Sequence, residues 1–343
     1  VIAELASEDA LRLAVLMTGE VHAVRIDEGR MELLALTPRG EARVALHANC
    51  RPENYLTRVR ETLGGHALGS PGGYPVHLRR WTRMGQASAR NLEALLKLGE
   101  PEAVAAVAHA PGLSDELARR AWWALPTVET ARVMLGHAAV REGTMGRVLA
   151  DFLIDHLPFE ADPVAAMNTV RVVLASDLLD EAARLSLWQK GRRRPHYLIG
   201  FLESLPDRLP AERAARSLPS ALAGPADNPW TRLLVRVASP VGQAWLQAAE
   251  LALDKPPAHE AVYLLLDLIG NYFGGVRDAP GREALAGFEP EALALEALAR
   301  VSSGDGEAVL LRTTAVGALL RRKIAPLVAP LLDHLRLLQR LDA

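Results

Sequence analysis

Cysteine is almost absent from this chain: Cys50 is the only one in 343 residues. A lone thiol cannot close an internal disulfide or build a cysteine-based zinc site, which fits a reducing compartment. Lysine is nearly as scarce. Lys97, Lys190, Lys255 and Lys323 are the only lysines, and arginine carries the remaining positive charge. With so much alanine, this pattern reads first as GC-rich coding bias, although guanidinium groups do suit bidentate recognition of carboxylates and phosphates. Net charge is also missing. At −2 the chain lacks the basic excess of a dedicated nucleic-acid-binding domain, so only a local patch could serve that purpose. No apolar run reaches the about 18 residues of a membrane span. The longest candidate, Ala261 to Ile269, is interrupted by Asp267, and Glu4, Glu8 and Asp9 stand where a secretory signal would be basic and then apolar. These absences predict a cytoplasmic protein.

Patterns that carry catalysis or metal binding are missing too. The histidines include no His-Glu-x-x-His and no His-x-His. His47 and Cys50 could begin a metal site, but nothing nominates the two further ligands it would need. Ser70 lacks the Gly-x-Ser-x-Gly frame of a hydrolase nucleophile. Glu296 and Arg300 have helix-surface spacing rather than an acid–base arrangement. No catalytic residue, metal or cofactor is expected.

What is present is a foldable chain, half hydrophobic and 23% charged, and longer than one usual domain. Ser7-Glu8-Asp9 looks like a helix start, with serine as cap and the acids favoured by the positive helix end. Alternation then marks three strands, around His22–Asp27, Met31–Ala35 and Arg43–His47, joined by compact turns. A helix opens at Pro52 and runs to about Leu63, and Val76 to Trp81 reads as a fourth strand. Residues 1–84 are therefore expected to form a small α+β domain with an antiparallel sheet.

From Met84 onward helical spacing takes over. Short amphipathic segments are punctuated by Pro101, Pro111, Pro126, Pro158, Pro163, Pro195, Pro206 and Pro210. Leu125-Pro126, Leu157-Pro158 and Leu205-Pro206 each close a segment, at unequal spacing. The expected fold is mainly α: residues 85–343 as a HEAT-like array of helical hairpins, an α-solenoid, with a break near 219–229 and a weaker one near Gly274–Gly281. The basic, leucine-rich stretch Ala315 to Leu341 should be bent or divided by Pro326 and Pro330.

Three segments are candidates for binding. The glycine-rich run Gly64 to Pro75, with Gly69, Ser70, Gly72, Gly73 and Tyr74, could turn several N–H groups inward as a phosphate nest, but it lacks the closing Gly-Lys-Ser/Thr of a P-loop and reads as a packing loop. Arg79, Arg80, Trp81 and Arg83 place guanidinium groups around an aromatic ring, suited to phosphates and a stacked base. Lys190-Gly191-Arg192-Arg193-Arg194, expected in a loop before Pro195, is the strongest charge run and could hold an acidic partner or a nucleic-acid backbone. Arg321-Arg322-Lys323 is weaker. Adjacent Trp122 and Trp123 cannot share a helix face, so one should pack inside and the other at a seam.

Gly69 to Pro75, Arg79-Arg-Trp-Thr-Arg-Met-Gly85 and Ala118-Arg-Arg-Ala-Trp-Trp-Ala124 resemble segments of the sulfur reduction protein DsrS family, as do Gly99 to Ala103 and His109 to Leu113. The resemblance covers about residues 7 to 210. It implies a cytosolic accessory or regulatory component of dissimilatory sulfur metabolism in sulfur-oxidising bacteria, and it carries no catalytic residues onto this chain. The expected function is thus binding of a cytoplasmic protein partner, with an RNA- or DNA-binding regulator using the two arginine clusters as the alternative.

Overall fold

A computed structural model describes residues 5–69, 89–219 and 228–339. These are mainly helical, with one small antiparallel sheet near the N-terminus. The chain forms two compact units, Val1–Asp155 and His156–Ala343.

The first unit opens with α1 (Ser7–Thr18), whose N-cap is Ala6; Ser7 already lies inside the helix and caps nothing with its side chain. Strands β1 (Ala23–Asp27), β2 (Glu32–Thr37) and β3 (Gly40–Ala45) follow as an antiparallel meander in the order β1-β2-β3. Register pairs Ile26 with Leu33 and Thr37 with Gly40. Met31 belongs to the turn before β2, with a left-handed φ of 51°, and not to the strand itself. The two-residue period turns Val24, Leu33 and Ala35 to one face, where they meet Leu13 of α1 and Tyr55, Leu56, Val59 and Leu63 of α2 (Pro52–Leu68). Each fully buried leucine here contributes about 2 kcal/mol by leaving water. The fourth strand expected at 76–81 lies outside the described residues.

α2 runs five residues beyond its expected end. Gly64 and Gly65 are helical, and Gly64 is buried against the core. Two glycines inside a helix cost about 1 kcal/mol each relative to alanine, and packing of the α2 face overrides that cost. The helix stops at Gly69, whose φ of 62° is the left-handed stop that glycine adopts without strain.

The division at 155/156 lies well beyond the 84/85 boundary expected from texture. The reason is long-range packing onto the outer edge of the sheet. Val24 N donates to Leu96 O at 2.8 Å, just after α3 (Ala89–Leu95). Gly99, at φ 66°, sits so close that a Cβ there would stand 3.0 Å from Ile26 Cδ1. The unit continues through α4 (Pro101–Ala108), α5 (Asp115–Ala124), α6 (Val128–Leu135), α7 (Ala138–Arg141) and α8 (Thr144–His156). Arg25 of β1 reaches α5, donating to Trp123 O at 3.2 Å.

The second unit holds α9 (Pro163–Ala175), α10 (Glu181–Gly191), α11 (His196–Ser204), α12 (Pro229–Ala238), α13 (Pro240–Asp254), α14 (His259–Phe273), α15 (Glu289–Ala299), α16 (Gly304–Leu310) and α17 (Gly317–Gln339). Proline punctuates because it opens helices: Pro163, Pro229 and Pro240 sit in first turns, behind Asp162, Asn228 and Ser239, whose side chains accept from the first free N–H groups. The core includes Phe201, Trp245 and Phe273, with Tyr272 stacked on Trp245 at 3.7 Å.

Two further expectations change here. Pro326 and Pro330 neither divide nor end α17, which runs unbroken for 23 residues with both prolines on exposed positions. The stretch around Gly274–Gly281 is pinned to the start of α12: Asn228 Nδ2 donates to Gly281 O at 2.8 Å and Trp230 Nε1 to Ala279 O at 3.0 Å. Of the break expected near 219–229, residues 220–227 lie outside the described residues. Among the described residues no helix is long and apolar enough to cross a membrane.

Candidate partner-binding site

The arginine run lies where α10 turns into α11. Lys190 and Gly191 are the last residues of α10, so of the charge run Arg192–Arg194 lie in the turn, which Pro195 closes before α11. Three backbone bonds tie it down: Arg192 N donates to Gln189 O at 3.3 Å, and Arg193 N and Arg194 N donate to Lys190 O at 3.1 and 3.0 Å. These bonds satisfy carbonyls that a helix end leaves free and turn the three guanidinium side chains outward, all exposed. Gly191 permits the tightness, because a Cβ there would stand 2.5 Å from the buried Leu198 Cδ2.

Beneath the turn is a pocket of about 310 Å³ lined by Leu157, Pro158, Lys190, Arg193, Arg194 and Tyr197. Leu157 and Pro158 belong to a 3-10 turn, Leu157–Phe159. Arg194 Nη1 donates to Tyr197 Oη at 2.8 Å, and its guanidinium carbon stands 5.7 Å from the centre of the Tyr197 ring. The Tyr197 residue is only 1% exposed, so its ring offers no face for a stacked base.

Charge is left unbalanced at this turn. Several arginines of the unit do face carboxylates: Arg171 with Glu203, Arg184 with Asp177, Arg236 with Asp207. Among the described residues, the side chains of Lys190, Arg192 and Arg193 have neither an ion pair nor a hydrogen bond, and Arg194 bonds only to a neutral phenol. His196 adds no charge at neutral pH, since burial, reinforced by the positive Arg194, pulls its pKa down to about 4 against the opposing pull of Asp162. An unneutralised cluster over an apolar floor can accept an anionic group that also carries apolar surface.

Arg79, Arg80, Trp81 and Arg83 lie outside the described residues, as do Ser70, Gly72, Gly73 and Tyr74. Gly69 is described, and it acts as the stop of α2. Lys190 belongs to the charge run visible in the sequence, whereas Leu157, Pro158 and Tyr197 join Arg193 and Arg194 without having been nominated for binding; the signal available was Leu157-Pro158, which marks a helix end that has to pack against something.

The first unit contains a polar cluster that sequence alone does not nominate. Asp9 is fully buried. Its carboxylate accepts from His47 N at 2.6 Å, His47 Nδ1 at 3.0 Å and Tyr55 Oη at 2.5 Å. Burial pushes the Asp9 pKa up, but the donors Tyr55 and His47 together hold it below 3.8. Tyr55 is pushed up to about 12 by burial and by its bond to Asp9. Asp9 thus ties α1 to the end of β3 and to α2, a heavier duty than favouring a helix end. His47 turns to Asp9, and Cys50 Sγ faces Arg51 O at 3.7 Å; among the described residues no three His, Cys, Asp or Glu side chains are grouped to hold a metal. Of the two tryptophans, neither is fully buried: Trp122 meets Phe152 edge-on at 4.6 Å, and Trp123 lies under the Arg25 guanidinium at 4.6 Å. No protein-family model, curated protein or solved structure matches this chain at a significant level.

Proposed function

We propose that this protein is a non-catalytic, cytoplasmic accessory component of dissimilatory sulfur metabolism, and that it works by binding a protein partner. The resemblance of residues 7 to 210 to the DsrS family supplies the context. A HEAT-like array is the reading of its helices, supported by short helices with proline-marked starts and short connections. The observation that carries the binding reading is the turn at Arg192–Arg194, where cations without acidic partners stand over a pocket floored by Leu157, Pro158 and Tyr197. An acidic segment with an apolar residue satisfies both features. A nucleic-acid backbone would satisfy only the charge, because the Tyr197 ring, the one aromatic side chain among the described residues of the lining, is covered. The test is a native pull-down of the tagged full chain from a sulfur-oxidising host, with and without nuclease. Protein partners from the sulfur-oxidation system that survive nuclease support the proposal; retention of RNA or DNA alone overturns it.

A further inference from the structure

A second exposed groove lies on α17. A groove of about 490 Å³ runs beside this helix and the end of α13, floored by Leu253, Ile324 and Val328. Its open side is Ala325 and Ala329, both exposed, and such small side chains let another helix axis approach closely. Arg321 and Arg322 line one end. Together with Lys323 they are exposed and, among the described residues, have no ion-pair or hydrogen-bond partner for their side chains; Asp254 is the one acid in the lining. Pro326 and Pro330 add a third property. Lacking N–H groups, they deprive the carbonyls of Arg322 and Pro326 of their usual intrahelical donors, leaving acceptors on the exposed side of the helix.

An apolar floor, small side walls and an unneutralised basic end describe a receptor for a particular shape and charge. We infer that this groove docks an acidic amphipathic helix of a protein partner, its apolar stripe against Ile324 and Val328 and its carboxylates toward Arg321 and Arg322. This rests on the reading of the chain as a partner-binding protein, but it uses residues separate from Arg192–Arg194.

The probe is a fluorescein-labelled helical peptide of about 18 residues, long enough for marginal helicity in water, with leucines spaced along one face and glutamates on the other. Its counterpart carries lysine at every glutamate. Anisotropy with the full chain should show the acidic peptide binding at least about tenfold more tightly than the basic one. Ala329→Trp, which fills the groove from an exposed position, and the pair Arg321→Glu with Arg322→Glu should each reduce that affinity by about tenfold or more, while Arg39→Glu, at an exposed turn outside both sites, should leave it unchanged. The inference is overturned if the acidic peptide shows no preference, or if Ala329→Trp with an unaltered melting curve binds equally well. It is also overturned if sedimentation shows a dimer of the chain that Ala329→Trp dissociates. Partner capture undiminished by Arg192→Ala, Arg193→Ala and Arg194→Ala, with peptide binding intact, would sink the earlier reading and leave this one standing.

Discussion

Replacing Tyr55 with phenylalanine should expose how much the first unit depends on one buried carboxylate. The substitution keeps the ring that packs with Leu13 and Val59 and removes only the hydroxyl that donates to Asp9 at 2.5 Å. A hydrogen bond to a charged group is worth about 1.5–3 kcal/mol, and Asp9, fully buried, has no water to replace it. For a unit of this size each kcal/mol moves the melting temperature by about 2–4 °C, so its transition should fall by about 3–12 °C at neutral pH. The pH dependence carries the sign of the argument. Asp9 has a folded pKa below its ordinary 3.8, so its contribution is present above that value and is lost as pH falls through the folded pKa. The difference between wild type and Tyr55→Phe should therefore narrow as pH falls through the folded pKa of Asp9, where its carboxylate takes up a proton. Calorimetry over a series of pH values from neutral into the acid limb measures both effects. A deficit that stays constant along that series would refute the carboxylate as its source.

Three other outcomes are expected. His196, neutral in the fold and titrating near 4, should make the second unit lose stability as pH falls from its ordinary 6.5 toward 4; urea melts of His196→Gln should lack that slope, and Arg194→Gln should raise the His196 pKa measured by NMR. Gly270→Ala should destabilise by about 1–3 kcal/mol, because the added Cβ would sit 1.9 Å from Val301 O, a loss visible as a lower urea midpoint. Asp115→Ala should cost about 0.5–2 kcal/mol in a thermal melt, since its carboxylate accepts from Thr144 N at 3.0 Å and Met145 N at 2.9 Å at the start of α8.

What could be read in the chain was what depends on near neighbours. The alternation of Val24 and Ile26 with Arg25 and Asp27, the turn at Pro38-Arg39, the prolines that open helices and the leucines that close them at Leu125 and Leu205 are all local signals, and the structure places elements accordingly. What escaped was set by distant partners. Leu96 is more than seventy positions from Val24, yet their hydrogen bond is what draws α3 to α5 into the first unit. Asp9 looks like an ordinary acid at a helix start until His47 and Tyr55 close over it. Gly64 and Gly65 look like a loop, but the buried side of α2 keeps them helical. For the candidate site the cations themselves were legible. That Lys190, Arg192 and Arg193 lack acidic partners, and that Leu157 and Pro158 floor the pocket, are facts of packing and not of spacing.

The most direct measurement compares partner capture by wild type with capture by a chain carrying Arg192→Ala, Arg193→Ala and Arg194→Ala, after nuclease and with melting curves matched. Loss of a specific acidic protein partner from the variant, together with weakening of the wild-type complex as salt rises, is the expected result. Undiminished capture by the variant would contradict the account, because it would place the partner's contact away from this turn.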